Sequence, residues 1–436
     1  MDFLFKQIND IRIYGFKSFK KKIFLLIKYF IKLPLYLYGF IICLFLIFIK
    51  PLLKVKIQQI PTQNFGDLII LTSLYYLKKK ILKKKEYRSL DFLFIDKKNF
   101  KLNSQVFKIL SKKVKIYSKI FIKPIFEVSN MFSIFESLQI PIFSNRLEYD
   151  EDNLFEKHKI FDLTKYEQLR AEEILKKKFG IKKSDKLVFL AIRDSKFTKI
   201  KSSSFNSDLT HNSFRDYDVT NFIEASEFLA DRGFYVFRMG RSVEKKFSSN
   251  NPKLIDYANS DIRSDLLDVY IASKCEFCVS TGFGLDALPY VFGKPMAIIS
   301  VPVGDFRAHS NRIFFSTKQH YDLNLKRNLS LREIFKKNLA FSMKMSDFVN
   351  SQINLIEPNH IEIKDFVKEF YQNIYLKKLF KSEEEKNQIL FKKKYLEYFN
   401  QSNYTLNKKK YYKNLHKNFN SFFSISFLNK NKNWLN

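Results

Sequence analysis

The stretch LVFLAIRDS at positions 187–195 decides the fold. Its first six residues, 187–192, form an unbroken apolar run, the pattern of a strand covered on both faces of a sheet. Such a strand needs helices above and below it, and the chain beyond supplies them in alternation. Further strands read at 234–237, 253–255, 275–279 and 295–301, with helices near 264–272 and 284–291 between them. Asp218 is placed to cap a helix running to about Ala230, and Gly233 stands where that helix should stop. Strand, helix, strand in this order argues for an α/β protein with a mostly parallel, doubly wound sheet.

Working outward toward the N-terminus, the same alternation returns in shorter pieces. Positions 55–60 read as a strand, 66–82 as a helix, 92–95 as a strand, 105–111 as a helix and 114–117 as a strand. Residues 130–186 are less regular and contain the join between two halves. The expected organisation is a basic, hydrophobic anchor at 1–54, one α/β domain at 55–180, a second at 181–375 and a basic tail at 376–436. The tail is rich in Lys, Asn and Phe and shows no period toward its end, so it reads as a helix giving way to a mobile segment.

From Leu33 to Ile49 the chain carries no charge: LPLYLYGFIICLFLIFI. A run of that length is the lower limit for crossing a bilayer as a helix. Lys17, Lys20, Lys21, Lys22, Lys28 and Lys32 precede it, and Lys50, Lys54 and Lys56 follow. With basic residues on both sides, the positive-inside rule has little to decide with. A span, a re-entrant helix, an interfacial helix and a buried globular helix all stay open. No small-residue cleavage site follows, which excludes a cleavable signal.

Across all 436 residues, 77 basic side chains against 44 acidic ones give a net charge of +33. Nucleic acid or an anionic membrane would each attract such a chain. A coding bias that enriches Lys, Phe, Ile, Asn and Tyr together explains the charge as well, and no nucleic-acid module accompanies it. The three cysteines, Cys43, Cys275 and Cys278, make no disulfide framework. Cys275 and Cys278 are an odd number of residues apart on an expected strand, so they face opposite ways and hold no zinc site.

Four places carry candidate chemistry. In QNFGD, positions 63–67, Gly66 permits close approach at a strand-to-helix turn while Asp67 projects from the helix start, beside Asn64. A carboxylate there can take a proton as a general base or simply cap the helix. Arg193 and Asp194 close one buried strand, and Arg238 and Gly240 close the next. Two forked donors at adjacent strand ends suit one phosphate-bearing ligand, with an Arg–Asp structural pair as the alternative. Ser280, Thr281, Gly282 and Gly284 form a small turn at a helix start, where backbone N–H groups meet a diphosphate or merely allow a tight connection. The segment HNSFRDYD, positions 211–218, holds His211, Arg215 and an Asp-x-Asp pair, Asp216 and Asp218. That pair is short enough to arise by chance, and no metal is expected.

Positions 55–80, with Gly66 and Asp67, resemble the opening motif of the heptosyltransferase-like glycosyltransferases, which implies that Asp67 is the catalytic base. The order of motifs from 187 to 301 resembles a family of bacterial surface-polysaccharide glycosyltransferases. The matching pieces are RDS at 193–195, HNSFRD at 211–216, YVFRMG at 235–240, DYA at 256–258, and a Gly-Leu turn at 284 leading to FGKP with Lys294; IEPN at 356–359 fits the end. Phe283 departs from the small hydroxyl residue expected before that turn. The resemblance implies two Rossmann-like domains in a GT-B-like arrangement, preceded by a membrane-associated helix. It also implies a donor site in the second domain built from Arg193, Arg238, Gly240, Ser280, Thr281, Gly282 and Gly284. Asn64, Gly66, Asp194, His211, Arg215, Asp216 and Lys294 are secondary candidates.

The implied activity is inverting, metal-independent transfer of a sugar from a nucleotide sugar to a cell-surface glycan such as lipopolysaccharide or capsule. No cofactor is expected beyond that substrate. The implied partners are the donor, a glycan or lipid-linked glycan acceptor and a membrane surface, with no nucleic acid. The implied location is the cytoplasmic face of the inner membrane. Two rivals remain: a non-catalytic nucleotide- or polyanion-binding membrane protein, and a fucosyltransferase-like GDP-sugar enzyme.

Overall fold

The computed structural model describes residues 20, 23–24, 31–83, 88–96, 103–144, 153–196, 210–241, 243–299, 303–304, 310–402 and 419–436. Along the first part of the chain come α1 (Ile31–Phe48), β1 (Val55–Gln59), α2 (Phe65–Tyr76), β2 (Leu90–Phe94), α3 (Ser104–Lys113), β3 (Ile116–Tyr117) and α4 (Lys119–Met131). The protein is mixed α/β and divides into two compact units whose segments interleave. The first unit is Met1–Thr62, Lys78–Phe100 and Val114–Asn145; the second is Gln63–Leu77, Lys101–Lys113 and Arg146–Asn436.

In the first unit β1, β2 and β3 make a three-stranded parallel sheet. Val55 and Ile57 turn one side of β1 into a core shared with Ile125 and Val128 of α4 and with Cys43 and Leu46 of α1. Alternation along β1 puts these apolar residues on one face, which is why a five-residue strand suffices to bind two helices.

The second unit continues with α5 (Lys165–Phe179), β4 (Lys186–Ala191), α6 (Ile223–Ala230), β5 (Phe234–Met239), β6 (Leu254–Ile255), α7 (Asp265–Lys274), β7 (Cys275–Ser280), α8 (Ala287–Val291), β8 (Met296–Ile299) and β9 (Ile313–Ser316). Then follow β10 (Gln319–Asp322), β11 (Arg327–Asn328), β12 (Ile353–Ile356), α9 (His360–Phe370), α10 (Ser382–Gln401), β13 (Phe422–Phe423) and α11 (Ile425–Lys430). The large sheet runs β13-β9-β8-β7-β4-β5-β6 and every pairing in it is parallel. The chain starts in the middle at β4, works outward through β5 to β6, then returns to the other side of β4 with β7. That is the strand order of a doubly wound sheet, and its switch point lies between β4 and β7. The continuous apolar run at β4 is buried on both faces: Val188 and Leu190 share a core with Phe314, Phe366 and Phe370 on one side, and Leu187, Phe189 and Ala191 are buried on the other.

Local signals hold where they depend on neighbours in sequence. The Asp218 side chain accepts from the Thr220 N–H, capping a short 3-10 turn that leads into α6, and Gly233 takes φ of 88° beyond its end. Cys275 and Cys278 are buried free thiols on β7, and burial pushes the Cys275 thiol up to about 12.

Over the described residues 419–436 the expectation of a mobile tail is corrected. Phe422 and Phe423 pair with Phe314 and Phe315 at the edge of the large sheet. Trp434 stacks on Phe423 with 5.1 Å between ring centroids, and Gln388 of α10 exchanges two hydrogen bonds with the Phe423 backbone. The Glu369 carboxylate accepts from the Ile425 and Ser426 N–H groups. Burying such aromatic side chains contributes about 1.5–3 kcal/mol each. That outweighs the pull of the intervening lysines toward water, although no 3.6-residue period marks the segment.

Candidate functional site

The carboxyl ends of β4 and β7 meet at the switch point, the position in an open parallel sheet where ligands bind. Two hydrogen bonds tie the ends together. The Thr281 N–H donates to the Ala191 carbonyl at 3.0 Å, and the Arg193 N–H donates to Thr281 Oγ1 at 3.0 Å. The turn after β7 is shaped by Ser280, which donates to Asp286 at 2.8 Å and accepts from the Gly282 N–H at 3.0 Å. Gly282 has φ of 71°, open to glycine at no steric cost. Ser280 and Thr281 are fully buried, and their hydroxyls build the turn from inside.

Against this turn lies the start of α2. A Cβ on Gly66 would stand 3.0 Å from Gly284 Cα, and a Cβ on Gly284 would stand 3.0 Å from the Gly66 nitrogen. Two backbones can come this close because neither residue has a side chain. The apposition unites the QNFGD and STGFG motifs and sets Asp67, in the first turn of α2, beside the Gly284 turn. Asp67 is half-buried, and its Oδ2 accepts from the Asn64 side-chain amide at 2.9 Å. Asn64, the residue before the helix, therefore orients the carboxylate while making no side-chain cap of its own.

Behind the turn stands a network of charges. Arg193 Nε donates to Asp216 Oδ1 at 3.0 Å. Burial lowers the Arg193 guanidinium and raises the Asp216 carboxyl from their ordinary values, each opposed by the charge of the other. Arg238 is 0% exposed and lies between Asp194 and Asp256, 3.2 Å from an oxygen of each. Asp194 also accepts from the Glu244 N–H, and Asp256 from the Phe247 N–H and the Asn259 amide. Arg238, expected at the donor, has its guanidinium sealed from solvent between two carboxylates. Gly240 serves the same scaffold, since its carbonyl accepts from Arg263 Nε at 3.0 Å.

Sequence reading missed Lys318 just beyond β9. It is 3% exposed, donates to the Asp216 carbonyl at 2.7 Å, sits 4.0 Å from the Tyr217 ring centroid and reaches Glu357 at 3.5 Å. Burial pushes its amine below the usual lysine range despite those acids. The signal was available: a polar residue closing a buried strand, the pattern that singled out Arg193.

Other candidates stand apart. Asp218 pairs with Lys245 at 2.6 Å besides capping its turn, so the two carboxylates of the Asp-x-Asp pair serve separate partners. Arg215 stacks over Phe214 and donates to the Met343 sulfur at 3.2 Å. Lys294 lines a depression of about 280 Å³ with Glu156, Lys159 and Ser273, which includes neither Asp67 nor Arg193. His211 falls in the 3-10 turn Thr210–Arg215, and its side chain lies outside the described residues.

The protein is thus an α/β protein whose doubly wound sheet carries a small glycine turn and a carboxylate at its switch point. No family model matches the sequence, and no curated protein does. One solved structure, E. coli ADP-heptose LPS heptosyltransferase II, is similar at 10% identity and a TM-score of 0.33, over 56% of this chain and 84% of that one. At that score the likeness adds nothing to the fold read from the strand order.

Proposed function

We propose that the chain is a glycosyltransferase that moves a sugar from a nucleotide-sugar donor onto a cell-surface glycan, with inversion and without a metal. One observation carries the reading: the Gly66–Gly284 apposition, which brings Asp67 to the switch point beside a turn suited to a diphosphate. Asp67 takes the proton of an acceptor hydroxyl as its oxygen attacks the anomeric carbon. The bond from that carbon to the diphosphate breaks, and the diphosphate leaves with the electron pair. Arg193 and the Phe283 and Gly284 N–H groups of the turn offset the charge that grows there. Arg238 acts at one remove by holding Asp194 and Asp256. In this reading the two α/β parts form a GT-B-like pair of Rossmann-like domains, 55–180 on the acceptor side and 181–375 on the donor side. The enzyme sits on the cytoplasmic face of the inner membrane, attached through residues 33–49.

A thermal-shift screen of nucleotide sugars, followed by hydrolysis assays on the hits, tests the class; binding of nucleotides without any turnover would leave a non-catalytic nucleotide-binding protein instead. Asp67→Asn then tests the base. Asn keeps the size and the ability to pair with Asn64 but takes no proton at neutral pH. Turnover should fall by about 10²–10⁴-fold while melting temperature and donor affinity hold. Lost stability with normal turnover per folded molecule would make Asp67 a structural residue.

A further inference from the structure

Helix α1 presents two unlike faces. Gly39, Cys43 and Leu46 are buried on one side, whereas Leu33, Leu37, Ile41, Leu44, Phe45 and Phe48 are exposed on the other. The exposed set recurs three or four residues apart, and with Ile31, Leu35, Tyr38 and Phe40 also exposed it makes a broad apolar stripe along the helix. The buried side is fitted closely to α4. A Cβ on Gly39 would stand 2.7 Å from the Pro124 carbonyl oxygen, and the Cys43 thiol donates to the Ile125 carbonyl at 3.5 Å. Phe40 meets Phe132 and Phe135 edge-on, both at 5.6 Å.

The helix that seats α1 is not built for hydrocarbon. Lys119 and Lys123 of α4 both pair with Asp96, Lys123 lies 3.8 Å from Glu127, and Lys32 at the head of α1 lies 3.9 Å from the same Glu127. Contacts at Gly39 and Cys43 fall in the middle of the uncharged run, so a bilayer-crossing α1 would carry α4 and its charges to membrane depth. Intramembrane charge costs several kcal/mol even when paired. The alternative, pulling α1 off α4, would abandon the glycine-fitted contact and leave Ile125 and Val128 uncovered.

The outer stripe is continued by other exposed apolar groups. Phe40 leads through its ring contact to Phe132, with Met131 and Ile134 beside it, and Leu52 follows the helix at 92% exposure. Exposed Lys50 and Lys54 stand at the same end. An apolar stripe with lysines at its border complements an anionic phospholipid surface, acyl chains for the stripe and headgroups for the amines.

Resting on the membrane attachment proposed above, we infer that α1 lies in the headgroup–acyl boundary of an anionic membrane, seated on α4, and does not cross the bilayer. Both ends of α1 therefore face the same compartment. The test uses the full-length chain in sealed membrane vesicles, with Lys20→Cys and Lys54→Cys made singly; the native thiols are buried. A membrane-impermeant maleimide should label both variants from one side, equally before and after permeabilisation. Labelling from opposite sides would overturn the inference while leaving attachment intact. A chain that is soluble without detergent would sink attachment and inference together. In a second arm, Phe45→Glu with Phe48→Glu should reduce cosedimentation with phosphatidylglycerol-containing vesicles by at least about tenfold at unchanged melting temperature. Unreduced cosedimentation of that variant overturns the inference as well.

Discussion

Two regions close strands at the same edge of the large sheet, and they are built on opposite principles. Arg193 and Arg238 both meet carboxylates, and the pairs are folded inward: Arg193 on Asp216, Arg238 between Asp194 and Asp256. At the glycine junction the chain uses the absence of side chains, so that the start of α2 and the turn at Gly284 touch backbone to backbone. The charged region holds strand ends in register. The bare region brings Asp67 beside the Gly284 turn. Charge density is thus a poor guide to where a ligand goes, because an ion pair satisfied within the protein has less to offer one.

If that contrast is right, its largest consequence belongs to Arg238. Arg238→Ala leaves Asp194 and Asp256 facing each other without their shared cation, and should cost about 3–5 kcal/mol in a urea titration. A variant as stable as the wild type would dissolve the distinction. Arg193 is the intermediate case, half-buried and proposed to face the donor. Arg193→Ala should weaken donor binding by about 1.5–3 kcal/mol, read by calorimetry on the best hit of the nucleotide-sugar screen. Unchanged affinity with a stability loss like that of Arg238→Ala would move it into the scaffold. The smallest effect is expected at the junction itself. Gly284→Ala puts a methyl group against the Gly66 backbone, which yields less readily than a side chain, and should cost about 1–3 kcal/mol of stability with reduced turnover. A variant neutral in both would mean that the junction does not place Asp67.

Much of this fold was legible because it rests on short-range rules. The apolar run of β4, the cap at Asp218 and the stop at Gly233 all came from residues within a few positions of one another. The site was legible only in part. Gly66, Asp67 and the turn at 280–284 stood out as motifs, but their meeting joins positions more than two hundred residues apart. Lys318 carried the same strand-end signal as Arg193 and was passed over because no recognisable motif surrounds it.

The two ends of the chain mark the boundary. Both are rich in Phe and Lys, and composition alone gives them one reading: solvated or membrane-bound. Sequence determined that each holds enough apolar surface to need a partner. Tertiary structure decided what the partner is. Phe422, Phe423 and Trp434 found an open strand edge at β9 and the face of α10; Phe423 and Trp434 are buried there and Phe422 partly so. Phe45 and Phe48, on the far side of a helix already seated by Gly39, meet no such surface among the described residues and stay exposed, Phe48 at 82%. The physical reason is that burial is a property of pairs of surfaces. One chain segment specifies its own half of each pair, and only the assembled fold supplies the other.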